Sequence, residues 1–172
     1  NAAEFPEGLE HLDYFDDIYV GYRYFETIPG AYEKVRYEFG FGLSYTSFEF
    51  SGTLCGESDG KIIAAVTVKN TGKASGKEVV QLYYSAPQGK LLKPAKELTA
   101  FKKTKLLSPG ESETVTLCFE VNDMASYDDL GKIKKSAYIL EKGEYKFFIG
   151  NSVRNVKELN YRYVLDSDIT VK

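Results

Sequence analysis

The densest run of chemistry-bearing side chains is Glu10-His11-Leu12-Asp13-Tyr14-Phe15-Asp16-Asp17. Paired carboxyl groups can divide nucleophilic and acid/base roles when they stand about 5–5.5 Å apart on opposite sides of a substrate. Glu10, Asp13, Asp16 and Asp17 share one local segment, which cannot wall both faces of a sugar-sized ring. Geometry favours a solvated acidic turn. His11 with Asp13 is half of a metal site, whereas a catalytic zinc needs three protein ligands. His11 is also the sole histidine, so a Ser-His-Asp triad would rest on it alone. No catalytic, cofactor-binding or metal-ligating residue is assigned on these grounds.

Other candidates have structural readings. Arg23 lies among Tyr19, Tyr22 and Tyr24, and is expected to stack on tyrosines or pair with a carboxylate such as Glu26. Phe39, Phe41 and Tyr45 could stack on sugar, but rings beside Gly40 and Gly42 are also how a linker anchors to a core, the favoured reading. Lys102, Lys103 and Lys105 suit a solvated edge strand guarded by lysine. The loop Gln88–Lys93 carries Leu91 and Leu92, which could meet a neighbouring domain or subunit or simply pack one leucine. Cys55 and Cys118 lie far apart; they form no metal-ligand pattern and do not force a disulfide.

The elements that must position these groups follow from composition and period. At 172 residues the chain fits one domain with an appendage, and is too short for a barrel enzyme of ~250 residues. Twenty-two basic against 25 acidic residues give a net charge of -3, which argues against a phosphate-binding surface and hence a nucleic-acid partner. No apolar run approaches the ~18 residues of a membrane span, and no leader is visible, Asn1-Ala2 being given no weight. Absent glycosylation sequons and sparse cysteines lean toward the cytoplasm, with secretion left open. Fourteen Tyr and 11 Phe favour sheet faces, and the lack of Trp weakens a sugar-stacking platform.

Ile18–Phe25 reads as a strand of β-branched and aromatic residues, with Pro29-Gly30 a turn beyond it. From Thr46 onward the chain reads as short alternating strands. Ile62, Ala64, Val66 and Val68 share one face, as do Val80, Leu82 and Tyr84, then Val115, Leu117, Phe119 and Val121. Tyr145, Phe147 and Ile149 repeat the pattern, as do Leu159, Tyr161, Tyr163 and Leu165. Leu98 and Phe101 fall out of phase, predicting a bulge or a bend. Asn122-Asp123 is expected to cap a helical turn near Met124. With no dozen-residue amphipathic helices between strands, the expected fold is an all-β antiparallel sandwich.

Val20-Gly21-Tyr22-Arg23-Tyr24-Phe25, followed by Phe39-Gly40-Phe41-Gly42-Leu43-Ser44-Tyr45-Thr46-Ser47-Phe48, resembles glycoside hydrolase family three. Val66–Gly72, Gly76–Tyr83, Pro94–Phe101, Leu107–Ser112 and Gly143-Glu144-Tyr145 with Ile149–Ser152 continue the likeness. It covers nearly the whole chain from Phe15, with departures at Asp17, Tyr37-Glu38 and Phe41. The resemblance implies that residues 1–45 are the tail of an α/β sandwich domain with its linker. It implies that 46–172 are a fibronectin type III-like (immunoglobulin-like) sandwich. The family's retaining β-glycosidase chemistry uses an Asp nucleophile and a Glu acid/base from domains whose motifs do not occur here. The expected role is therefore a non-catalytic support for the catalytic domains of a β-glucosidase-type parent, those domains being its partners; the alternative is a carbohydrate-binding or adhesive module. Ile18–Phe25, without its parent sheet, is expected to fold onto the sandwich or pair with another copy.

Overall fold

The computed structural model describes residues 17–171. The expectations placed on Glu10, His11, Asp13 and Asp16 lie outside the described residues. Among the described residues ten strands form: β1 Phe48–Ser58, β2 Lys61–Asn70, β3 Val79–Ser85, β4 Glu97–Lys103, β5 Ser112–Glu120, β6 Ser126–Asp128, β7 Ala137–Leu140, β8 Gly143–Gly150, β9 Val156–Leu165 and β10 Ile169–Val171. They assemble into antiparallel sheets of order β1-β2-β5 and β4-β3-β8-β9, with a small sheet β10-β7-β6.

Alternation dictates the packing. The inward residues of β2, β3, β5 and β8 form one cluster with Leu159, and Tyr161, Tyr163 and Leu165 pack against it half-buried. Outward positions such as Thr116, Cys118 and Glu120 stay exposed. Phe119 and Phe147 meet across the core at 6.1 Å between ring centroids, joining the two main sheets. The expected bulge is present. Leu82 pairs with Ala100 but Tyr83 with Leu98, which leaves Thr99 as the extra residue on β4. β4 is the edge of its sheet, and Phe101, Lys102 and Lys103 face solvent there, as lysine on an exposed edge requires. β1 slips by one residue between Ser51 and Leu54, where Gly52 takes a φ of 58° that favours glycine.

Asn70, fully buried at the end of β2, ties the turn region together. Its amide donates to the carbonyls of Ala74 and Leu107, each at 2.8 Å, and its Oδ1 accepts from Thr46 Oγ1 at 2.6 Å and Gly72 N at 3.1 Å. A Cβ on Gly72 would lie 2.7 Å from the Ser47 backbone nitrogen, so this turn needs glycine for close approach.

Two local expectations are corrected. Ile18–Phe25 is not a strand: Tyr22–Thr27 forms a short helix, α1, entered through Gly21 at φ 61°. A strand needs a neighbour for its backbone groups, whereas a helical turn closes its own, as Ile28 N does on Tyr24 O at 2.9 Å. The turn near Met124 forms as a 3₁₀ helix, Val121–Met124, but Glu120 rather than Asn122 holds the cap position, and Asp123 accepts the Glu120 N–H at 3.2 Å.

Candidate functional site

Residues 17–45 fold onto the sandwich as a strap. Tyr22 is its main anchor. Its ring stacks on Phe39 at 4.5 Å and meets Tyr83 edge-on at 6.3 Å, while its hydroxyl accepts the Leu98 N–H at 2.8 Å. Thr27 Oγ1 accepts the Ala95 N–H at 2.8 Å, and Phe39 O accepts the Val153 N–H at 2.9 Å. Arg154 reaches back to Glu26 at 2.7 Å and lies over the Tyr32 ring. Gly40, at φ 87°, passes so close to Gln81 that a Cβ would sit 2.5 Å from Nε2. Gln81 in turn accepts the Tyr83 hydroxyl and donates to Asn151 O at 2.7 Å. This explains why Gln81 and Tyr83, on the outward face of β3, are buried.

The aromatic candidates separate. Phe39 anchors the strap. Phe41 meets Tyr37 at 4.9 Å on an exposed surface, and Tyr45 is 100% exposed, so neither anchors to the core. Gly42 has open space around it, in contrast to Gly40. Arg23 pairs with Glu97 at 2.9 Å, not with Glu26, which Arg154 occupies.

A cleft of about 600 Å³ lies beside the first described residues of the strap. Asp17, Arg23, Tyr84, Glu97, Asp123, Ser126, Asp129 and Lys132 supply its polar lining, with Leu91, Leu92, Tyr127 and Leu130 among the rest. Two of its four carboxylates have structural partners. Glu97 is held by Arg23 and by the Tyr84 hydroxyl at 3.0 Å, and Asp123 caps its own turn. Burial, reinforced by the Glu97 carboxylate, pushes the Tyr84 hydroxyl far above the ordinary tyrosine range, so it stays a neutral donor. Asp17 is exposed.

Two loops beside this cleft are held by buried charge. The Lys93 ammonium pairs with Glu141 inside the protein and also donates to Leu91 O at 3.1 Å. Glu141 further accepts the N–H of Lys90 at 2.6 Å and of Leu91 at 3.2 Å. Leu91 is buried and Leu92 is exposed, so the loop packs one leucine and presents the other. On the second loop, buried Asp128 accepts four backbone N–H groups, from Gly131, Lys132, Ile133 and Lys134, at 2.7–3.0 Å. Burial raises its pKa, but the four donors outweigh that and hold the carboxyl below its usual range. No local pattern marks these devices in sequence. Lys93 and Glu141 are 48 residues apart, and Asp128 serves residues that look like plain loop.

Cys55 and Cys118 are free. Burial pushes the Cys55 thiol up to about 11, which keeps it protonated and unreactive. Among the described residues, no three His, Cys, Asp or Glu side chains gather as a metal would need, and no helix is long and apolar enough to cross a membrane.

Residues 78–153 match the fibronectin type III-like domain family. β-Glucosidase A of Butyrivibrio fibrisolvens is 57% identical over 183 residues, covering 98% of this chain and 22% of the relative. A β-glucosidase of Ruminococcus albus is 49% identical over 155 residues, covering 90% of this chain and 16% of the relative. Among solved structures, a β-glucosidase from Paenibacillus barengoltzii superposes with a TM-score of 0.84 at 50% identity, over 91% of this chain and 18% of that one. β-Glucosidase 3B from Thermotoga neapolitana, in complex with α-D-glucose, gives 0.80 at 42% identity, over 92% and 21%. The chain thus spans about a fifth of the proteins it matches.

Proposed function

From the premise that this chain belongs to the fibronectin type III-like region of family-three β-glucosidases, we propose that it is a non-catalytic support within such an enzyme. The parent hydrolyses terminal β-linked glucosides, and this region buttresses the domains that carry the reacting groups. Retaining hydrolysis requires carboxyl groups placed to within fractions of an ångström, and side chains from separate domains keep that placement only if the domains are held rigidly. A packed sandwich with no reacting groups of its own supplies such rigidity.

The observation that carries this reading is coverage. The likeness takes in almost all of this chain but only about a fifth of each β-glucosidase. The cleft chemistry agrees: Glu97 and Asp123 are spent on structural hydrogen bonds rather than left facing each other across a substrate-sized gap.

The test is an assay of the isolated chain on an aryl β-glucoside, beside the parent and the parent lacking residues 46–171. The expected result is no turnover by the isolated chain, full turnover by the parent, and loss of activity or of thermal resistance in the deletion. Turnover by the purified chain, or a deletion as active and heat-resistant as the parent, overturns the proposal.

A further inference from the structure

We propose that the 600 Å³ cleft and the apolar tips beside it form the seat on which a neighbouring domain of the same polypeptide docks. This rests on the support reading and names the surface through which support is given. Three observations converge on it.

The first is location. Asp17 and Ile18, the first described residues, line the cleft themselves. A domain placed N-terminal to residue 17 would thus be joined to the sandwich on the side of this cleft. Tethering gives an effective concentration in the millimolar range, so a modest patch suffices to hold it. Four fifths of each relative lies outside the matched region, which is ample mass to cover this face.

The second is the character of the surface. Leu92 (59% exposed), Leu130 (72%) and Tyr127 (51%) stand around the cleft, and Tyr127 leans on exposed Tyr138 at 5.1 Å. Arg23, Asp123 and Lys132 form a polar border. An apolar centre with a charged border is how protein interfaces are built. The outer face of β1-β2-β5 differs: Thr67 and Thr114 hydrogen-bond across it at 3.1 Å, and Leu54 stands there as the large exposed aliphatic of β1.

The third is rigidity. Leu92 is carried by the loop that the buried Lys93–Glu141 pair fixes, and Leu130 by the loop that Asp128 fixes through four backbone bonds. A buried charge is a costly way to shape a surface loop. It is explained if the loop tip must be presented in one position, because preorganisation lowers the entropy lost on docking.

The test places Leu92→Asp with Leu130→Asp in the isolated chain and in the parent, with Leu54→Asp as the control. Both leucine side chains are solvent-facing, so the isolated chain should melt as before. The parent should lose activity on heating about tenfold faster than the control, because a charge enters a covered apolar contact. If the double variant and the control hold equally in the parent while deletion of residues 46–171 still collapses it, the support reading stands and this seat is wrong. If the deletion is harmless too, both fall. Saturable binding of cellobiose to the isolated chain, with chemical-shift changes at Tyr127, would make the cleft a saccharide site and overturn the docking proposal.

Discussion

The sandwich and the strap obey opposite rules. In residues 48–171 the inward apolar side chains of β2, β3, β5 and β8 are buried together with Leu159, while those of β1 and the rest of β9 pack against them half-buried. In residues 17–45 Ala31 is the sole buried residue, and α1 buries none, while Val20, Tyr24, Tyr32, Tyr37, Phe39, Phe41, Leu43 and Tyr45 are exposed. The strap holds to the sandwich through specific bonds and one stacked ring, not through a core of its own. A sequence so rich in rings that buries so few of them is a surface waiting for cover, which agrees with the proposal that it supports neighbouring domains.

The contrast is broken most directly at the core. Leu82→Ala should destabilise the chain by about 3–4 kcal/mol, while Phe41→Ala should change it by less than ~0.5 kcal/mol. Denaturant unfolding of both variants checks this, and similar costs would mean that the strap and sandwich share one core. Asn70→Ala should come next, at about 2–3 kcal/mol, because it leaves the Ala74 and Leu107 carbonyls and the Thr46 hydroxyl without their partner. Tyr22→Phe should cost only about 1 kcal/mol, since the ring stays and the bond from Leu98 N is lost. Its mark is faster hydrogen exchange at the Leu98 amide, with exchange in the core strands unchanged.

The smallest effect is acid sensitivity. The Asp128 carboxyl is held below its ordinary value of 3.8, so its contribution is complete above that value and is lost as pH falls through the lower folded value. Amides of Gly131–Lys134 should therefore lose protection, relative to their intrinsic exchange rates, as pH falls below about 3.8 in the wild type. In Asp128→Asn they should be fast at neutral pH already.

What the sequence disclosed follows the same division. Strands with one buried face wrote their period into the chain: Lys61–Asn70 and Ser112–Glu120 alternate without a break. The bulge on β4 showed as a phase slip between Leu98 and Phe101. The small sheet was not legible. Ser126–Asp128 is three residues long, and Ala137–Leu140 gains its register from Ile169–Val171 far down the chain. Ile18–Phe25 has strand composition but no strand neighbour among the described residues, so Gly21 and the Tyr22 anchor set a helical turn instead. At the cleft, Arg23 was recognisable as a paired cation, but its partner Glu97 arrives from 74 residues away by tertiary packing. The buried loop-fixing charges are likewise products of the fold.

Amide hydrogen exchange of the isolated chain beside the full-length parent decides the matter. The account predicts that Tyr37–Tyr45, the Gln88–Leu92 loop and Tyr127–Tyr138 gain protection in the parent, while the outer residues of β1 and β2 do not. Equal exchange of those three stretches in both proteins would contradict it.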